Sequence, residues 1–362
     1  MNKEFRIIHH NGWCWLFWSV FFEDFVVGSV IRHRPCRSVD FYDNVLWSSL
    51  TLDYTPLYLD REYASRTDFG NVIMNPRFLL SLVIGISTRD TSINTMAFLG
   101  IDYERLVRPV YPGDTVCVES EVVNKRESRS RPGMGVVTWV HRAYNQRGEL
   151  VYEVRRSNLV YRRDGSPWIK FLRGEPVGKA EARPGEGSRP FDYNSMQFTR
   201  LGHEQWLGRF LEDFSPGEVI VHRLGRTVYE FDNVLSTVLS MNTATLHFDE
   251  EYMLYHDYGR PVVQGPFIVG LACGLSSMDL TMNIAADLGI TDLRLRAPVF
   301  HGDTLHAVSE VLSVEGSSDP RFGVITVRTR LYKGMMRTEV AEITRKIAIY
   351  KKEHTPWRFI WR

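Results

Sequence analysis

Apolar side chains recur along this chain with two periods, one typical of helices and one typical of strands. Residues 40–52 contain no Gly or Pro and place apolar side chains near helical spacing, which predicts a helix. Residues 76–87 are apolar on almost every face. Because a helix that is apolar all round must be covered on all sides, this second stretch predicts a buried helix.

Strand-like runs follow the predicted buried helix, over residues 115–123, 135–144 and 150–161. In the first run, apolar or small side chains occupy every second position, namely Val116, Val118, Ser120 and Val122. A period of two is typical of a strand with one buried face. The order of elements therefore predicts one buried helix wrapped by an antiparallel sheet.

The same pattern occurs twice, with a constant shift of 189 residues. The segments that repeat are FEDF at 22–25 and LEDF at 211–214, DNVL at 43–46 and 232–235, and PVYPGDT at 109–115 and PVFHGDT at 298–304. A register held without a gap over this length indicates a duplicated unit. The copy has its own helix at 229–241 and strand-like runs at 304–312, 323–332 and 339–350.

The repeat predicts the organisation of the chain. We expect an N-terminal extension at 1–19, a first domain at 20–163, a linker at 164–208, a second domain at 209–352 and a C-terminal tail at 353–362. The linker is rich in Gly, Pro and charged residues, which favours an extended connection over the surface. An apolar run at 13–22 is too short to span a bilayer, which takes roughly 20 residues, and no small-residue cleavage site follows it. We expect this run to pack on the domain or to precede it.

Composition limits the class of protein. The 44 Lys and Arg residues nearly balance the 43 Asp and Glu residues, so no polycationic field favours nucleic acid. The four cysteines, Cys14, Cys36, Cys117 and Cys273, lie far apart and form no Cys-x-x-Cys pair. This spacing argues against a structural zinc site and a secreted disulfide framework, and it favours a reducing compartment. We therefore expect a cytoplasmic protein with no metal, no membrane association and no nucleic-acid partner.

Two segments at matching positions of the repeat carry candidate chemistry. The second-half segment, 242–249, contains Asn242 and His247. The first-half segment, 53–60, has Asp53 and Tyr58 at the same places. Further on, the second half has Gln264, Gly265 and Pro266, whereas the matching first-half stretch has Asn75 and Pro76 and no glycine.

These features together resemble the MaoC-like (R)-specific enoyl-CoA hydratases and dehydratases. The narrower resemblance is to the mesaconyl-CoA hydratase, or beta-methylmalyl-CoA dehydratase, group, and it covers nearly all of both repeats. It implies an α+β double hot-dog fold, in which each domain wraps a long antiparallel sheet around a buried helix. It also implies an acyl-CoA substrate that gains or loses water, no cofactor, and a homo-oligomer that uses the sheet edges.

The broad family carries an Asp-x-Asn-Pro-x-His-x-Asp motif, which each half of this chain keeps only in part. The second half retains the histidine as His247 and has Asn242 in place of the aspartate. Members of the narrower group show a similar Asn-Thr-Ala-x-x-His-Phe stretch. The first half keeps the aspartate as Asp53 and has Tyr58 in place of the histidine. We therefore expect the working site in the second half, with the first half shaping the pocket.

Hydration of an enoyl thioester needs an activated water, a proton for the alpha carbon and donors for charge on the thioester oxygen. His247 is the candidate for the proton transfer, because imidazole titrates nearest neutral pH. Asn242 is expected to orient the water or His247, since an amide is no general base. A backbone N–H at Gly265, beside Gln264, is the candidate oxyanion donor at the start of a helix.

Other interpretations of these residues stay open. His247 is also explained as a loop histidine with its bonds satisfied, Asn242 as the cap of the 229–241 helix, and Gly265 as a structural turn. Asp53 and Tyr58 are candidate pocket residues of the first half, or remnants of a second pocket that has lost its function. Arg294 and Arg296 are weaker candidates for binding CoA phosphates.

Two other functions remain alternatives to hydration. The same fold hydrolyses thioesters in acyl-CoA thioesterases, and release of free thiol from a saturated acyl-CoA distinguishes that reaction. A non-catalytic acyl-thioester-binding module is the second alternative. The acyl group is not fixed by the sequence, and mesaconyl-like, itaconyl-like and polyketide substrates all remain candidates.

Overall fold

The computed structural model describes residues 6–10, 13–17, 20–176 and 208–359. The first half contains β1 (Arg6–His10), β2 (Trp13–Phe17), β3 (Val30–Arg32), β4 (Arg37–Ser38), α1 (Phe41–Thr51), α2 (Pro56–Leu59), α3 (Arg61–Ser65), α4 (Pro76–Thr91), β5 (Thr95–Leu106), β6 (Thr115–Glu127), β7 (Met134–Tyr144), β8 (Leu150–Tyr161) and α5 (Pro167–Arg173). The second half contains β9 (Val219–Thr227), α6 (Glu230–Leu239), α7 (Glu250–Met253), α8 (Gly265–Leu280), β10 (Ile284–Leu295), β11 (Thr304–Gly316), β12 (Phe322–Lys333) and β13 (Thr338–Tyr350).

One large antiparallel sheet runs through both halves. Its strand order is β3-β6-β7-β8-β5-β10-β13-β12-β11-β9, and β4 pairs with β6 beside this path. The halves meet where β5 pairs with β10, with Ile101 opposite Leu293 and Gly100 opposite Arg294. The hydrogen-bonded sheet is therefore continuous across the duplication.

The two central strands, β5 and β10, are absent from the sequence predictions. Each carries several register shifts against its partners. Each shift breaks the alternation of inward and outward side chains, so the burial of both strands follows no period of two. The signal that revealed the other long strands is therefore missing from these two.

The buried helices lie on the inner face of the sheet. α4 packs against β6 and β7, α8 packs against β9, β11 and β12, and the two helices contact each other. α4 extends beyond the predicted end at residue 87 to Thr91, and the hydroxyls of Thr88 and Thr91 bond back to the carbonyls of Ile84 and Ser87. Those bonds satisfy the hydroxyls of two buried side chains.

The halves also interlock through glycines at matching positions. A Cβ on Gly85 of α4 would lie 1.8 Å from the carbonyl oxygen of Ser240, just after α6. A Cβ on Gly274 of α8 would lie 1.9 Å from the carbonyl oxygen of Thr51, at the end of α1. Only glycine permits this approach, so each half seats the end of its first long helix on the buried helix of the other.

The spacing of the cysteines argued against a disulfide framework and favoured a reducing compartment, yet one pair is bonded. Cys36 and Cys117 form a disulfide, although 81 positions separate them in the sequence. Pairing of β4 with β6 sets Arg37 opposite Val116, which brings the neighbouring cysteines together. Cys273 is free and buried. Sequence spacing alone cannot reveal such a pair, because strand pairing decides which cysteines meet.

The predicted linker and the predicted N-terminal extension each contain regular secondary structure, and part of each lies outside the described residues. α5 lies inside the predicted linker, whose residues 177–207 are outside the described part of the chain. β1 and β2 form a separate two-stranded sheet within the predicted extension. None of the described helices is long and apolar enough to cross a membrane.

Candidate functional site

A cleft of about 410 Å³ lies between the two halves of the chain. The second half lines it with Leu246, His247, Tyr258, Val262, Val263, Gly265, Ile268 and residues 295–298. The first half lines it with residues 96–99 of β5, with Val136 and Leu159 of the neighbouring strands, with Arg126 at the end of β6, and with four residues of the turn that joins β6 to β7. Apolar side chains dominate around His247, and the first half supplies much of the opposite wall.

His247 is held in one orientation by the chain beside it. It ends a short 3-10 turn, Thr245–His247, and its Nδ1 lies 2.8 Å from the carbonyl oxygen of Val262. Because a carbonyl only accepts, Nδ1 carries the hydrogen and Nε2 keeps a free lone pair. The ring lines the cleft although only 9% of the residue is exposed.

The surroundings of His247 favour the neutral imidazole. Burial lowers the pKa of His247 to about 4, and its bond to the Val262 carbonyl opposes this shift. An apolar environment disfavours the charged form because water no longer solvates it. The free protein therefore presents Nε2 as a proton acceptor at neutral pH.

Asn233 of α6 fixes the two segments that form this part of the cleft. Its Nδ2 donates to the carbonyl oxygen of His247 at 2.7 Å and to that of Val262 at 3.2 Å. Its Oδ1 accepts from the backbone N–H of Gln264 at 3.1 Å. The first half repeats these bonds, since Asn44 of α1 bonds the backbone of Tyr58, Ile73 and Asn75. This role of Asn233 was not predicted, although Asn233 lies in DNVL, one of the repeated segments.

Asn242 and Gln264 lie beside the cleft and bond to each other. The Asn242 amide is 3.4 Å from Gln264 Oε1, and Asn242 Oδ1 accepts from the backbone N–H of Ala244 at 3.0 Å. Gln264 Nε2 also donates to Ser236 at 3.0 Å. Both residues are buried, and neither lines the cleft. The structure therefore places them behind the wall of the cleft, as supports of its loops.

Gly265 lies in the cleft wall at the start of the buried helix. As the first residue of α8, it has an N–H that no carbonyl of the helix can accept. A Cβ at this position would lie 2.8 Å from the ring of Phe98. Glycine therefore allows β5 of the first half to approach the helix, and it leaves a backbone donor in the same cleft as His247.

The matching region of the first half is filled. Asp53 accepts from Thr55 and Asn75, and Tyr58 is buried. Neither residue lines the cleft that contains His247.

A buried ion triad lies close to Tyr58. Arg77 of α4 bonds to Glu104 of β5 and, at 3.0 Å, to Asp287 of β10. Tyr152 donates to Glu104 at 2.6 Å. Burial raises the pKa of Glu104, and Arg77 opposes that rise. Arg77 stands where the second half has Pro266, so charged side chains occupy the place of the open cleft.

The arginines singled out near the Pro-Val segment are engaged by carboxylates. Arg296 bonds to Glu339 and to Glu342 at 3.1 Å. Arg294, which is half-exposed, pairs with Asp292 at 2.8 Å. Within the described residues, no group of three or more His, Cys, Asp or Glu side chains is placed to hold a metal ion.

Known proteins of the same kind match both halves. A family model for mesaconyl-CoA hydratase matches residues 18–169, and a MaoC-like domain model matches residues 213–331. The chain is 32% identical to the mesaconyl-CoA hydratase of Cereibacter sphaeroides, over 85% of this chain and 88% of that protein. It is 30% identical to the beta-methylmalyl-CoA dehydratase of Chloroflexus aurantiacus, over 85% of this chain and 87% of that protein.

Solved structures agree with the sequence relatives. A MaoC domain protein dehydratase from Chloroflexus aurantiacus superposes with a TM-score of 0.76 at 26% identity, covering 92% of this chain and 98% of that one. A Mycobacterium tuberculosis protein described as a double hot-dog fold superposes with a TM-score of 0.71 at 21% identity, covering 91% and 98%. The predicted double hot-dog fold is confirmed. On this fold and these relatives, the chain belongs to the MaoC-like hydratases and dehydratases, in the group that contains the mesaconyl-CoA hydratases.

Proposed function

We propose that the protein adds water reversibly across the double bond of a 2-enoyl-CoA thioester, with His247 moving the proton. The observation that carries this proposal is the placement of His247 and Gly265 in the wall of one cleft. The imidazole offers a basic Nε2, and the start of α8 offers a backbone donor. These are the two groups that the hydration chemistry requires.

The reaction follows from these two groups. Neutral Nε2 of His247 removes a proton from water as the water oxygen bonds to the beta carbon. The electron pair of the double bond moves toward the thioester carbonyl. The carbonyl oxygen gains negative charge and accepts a hydrogen bond from the backbone N–H of Gly265. The alpha carbon then takes the proton from the imidazolium, which restores the neutral ring. Dehydration is the same sequence in reverse, and no step needs a metal or redox cofactor.

Asn242 and Gln264 serve as positioning residues in this proposal. The amide of Asn242 has no usable basicity, and its side chain is committed to Ala244 and Gln264. Gln264 is bonded to Asn233 and Ser236. This network holds the loop before His247 and the turn before Gly265 in fixed relation, which keeps base and donor aligned for one substrate atom.

We also propose a branched C4 or C5 dicarboxyl acyl group, by analogy with the names of the relatives. Steady-state assays with mesaconyl-CoA, crotonyl-CoA and tigloyl-CoA, followed by loss of enoyl absorbance, test both the reaction and the acyl group. We expect hydration with the highest kcat/KM for mesaconyl-CoA. Free thiol from a saturated acyl-CoA, with no hydration of any enoyl ester, would instead identify a thioesterase.

We also propose a homo-oligomer in the cytoplasm, where the Cys36–Cys117 disulfide would be open to reduction. The sheet ends at β3 and β9, which are the edges available to a second copy. Light scattering coupled to size-exclusion chromatography gives the oligomeric state directly, and a mass of one chain would contradict this part of the proposal.

A further inference from the structure

The turn between β6 and β7 forms one side of the cleft mouth and is rich in arginine. Arg129 and Arg131 of this turn, together with Arg126 at the end of β6, line the cleft and are exposed. Ser128 and Ser130, between them, line it too. The turn belongs to the first half of the chain, whereas His247 belongs to the second, so the cleft joins a cationic mouth to a buried imidazole.

The charges on this turn are poorly compensated by the protein. Among the residues that the structure describes, no carboxylate forms an ion pair with Arg126 or Arg129, and Arg131 is 3.9 Å from Asp257. Arg296, at the same cleft, is by contrast bonded to two glutamates. An anion at the mouth would therefore meet guanidinium groups whose donors are free to bind it.

The duplicated copy of the turn shows that these arginines are not required by the hairpin itself. At the constant shift of 189 residues, Glu315 at the end of β11 stands for Arg126, Ser318 for Arg129 and Pro320 for Arg131. Arg321 of that turn is tied to Asp319 and Asp68. The copy has no arginine at any of these three positions, so the hairpin itself does not require them.

We propose that Arg126, at the end of β6, and Arg129 and Arg131, in the turn that follows, bind the phosphate groups of the nucleotide end of the CoA thioester. This proposal rests on the proposed function. A ligand that reaches His247 must place its reacting carbon where only 9% of that residue is exposed, while its other end stays at the exposed mouth. A CoA thioester has this polarity, with an uncharged thioester at one end and phosphates at the other. Arg side chains pair with phosphate through two parallel hydrogen bonds.

The test compares two esters of one acyl group, the CoA thioester and the pantetheine thioester, which lacks the nucleotide phosphates. In the Arg126→Gln/Arg129→Gln variant we expect KM for the CoA ester to rise about tenfold, with kcat unchanged. KM for the pantetheine ester should stay the same. Arg337→Gln, at an exposed arginine of the turn between β12 and β13 and outside the cleft, is the control and should change neither constant.

Binding of adenosine 3′,5′-bisphosphate, measured by calorimetry, separates this proposal from the hydratase proposal because it needs no turnover. The native protein should bind the bisphosphate, and the double variant should bind it about tenfold more weakly. Equal rises in KM for both esters would overturn the phosphate assignment and place the arginines on the acyl group. Equal affinity of variant and native protein for the bisphosphate would also overturn it, whatever reaction the enzyme catalyses.

Discussion

The two halves of the chain build the same framework around different interiors. Asn44 and Asn233 make matching bonds to the loops that carry Tyr58 and His247. Around Tyr58, Arg77 and its two carboxylates fill the space. Around His247, apolar side chains leave a cleft of about 410 Å³. Among the described residues, duplication therefore preserved the scaffold of both halves, while the side chains form a cleft at His247 and a buried charged set at Tyr58.

The filled region stabilises the protein only while it stays complete. Arg77, Glu104 and Asp287 are almost completely buried and have lost their hydration. Their attraction for one another compensates for that loss. The open cleft gives up some stabilisation, because it leaves apolar surface uncovered. It also holds His247 in the neutral state. The first half thus contributes packing, whereas the second half is less tightly packed and leaves space for a substrate.

The largest expected effect comes from replacing His247, the residue that distinguishes the second half from the first. His247→Ala should lower kcat by about a thousandfold, because it removes the group proposed to move the proton. The matched change Tyr58→Phe, at the equivalent first-half position, should leave kcat unchanged. Stopped-flow hydration assays on folded variants check both. Loss of activity in Tyr58→Phe and not in His247→Ala would reverse the assignment of the working half.

The second effect concerns stability and should appear only in the filled half. Arg77→Ala leaves Glu104 and Asp287 buried without their cation, and we expect it to cost about 3–5 kcal/mol of unfolding free energy. Arg328→Ala removes a partly exposed pair with Glu310 and should cost about 0–1 kcal/mol. Urea denaturation of both variants measures the difference. Similar losses of unfolding free energy in the two variants would show that the buried triad stabilises the protein no more than an exposed ion pair does.

The third effect separates positioning from stability. Asn233→Ala and Asn44→Ala each leave buried backbone groups without a partner, at about 1–3 kcal/mol for each group. We expect similar losses of stability in both variants. Only Asn233→Ala should also lower kcat, by about tenfold or more, because it frees the loop of His247. Equal kcat values in the two variants would show that Asn233 has no part in aligning the site.

Much of the framework follows from sequence, because it depends on local patterns that the duplication repeats. The apolar stretch of α4 and the alternation in β6 are visible without coordinates. The central pair β5 and β10 is not, since register shifts remove its periodicity. The site is divided in the same way. His247 belongs to a local motif, whereas Phe98, Arg77 and the arginine turn reach their partners only through pairing of distant strands.

The smallest effect is a displacement of the pH profile, and it tests the state of His247 in the open half. The folded protein holds the pKa of His247 at about 4, against an ordinary value of about 6.5. The base must be neutral to accept a proton, so kcat/KM should stay level from pH 8 to pH 5 and fall only near pH 4. At pH 5, about 90% of the imidazole would still be neutral, compared with about 3% for an ordinary histidine.

Acid unfolding must be separated from this profile, because the same pKa shift affects stability. Between about pH 6.5 and pH 4 the unfolded chain protonates its histidine while the folded protein does not, so the folded state loses stability as pH falls through this window. Tryptophan fluorescence recorded at each pH identifies the range in which the protein stays folded. Within that range, a midpoint near 6.5 would contradict a desolvated His247 as the base. A level profile that ends near pH 4 supports the neutral imidazole in the wall of the cleft.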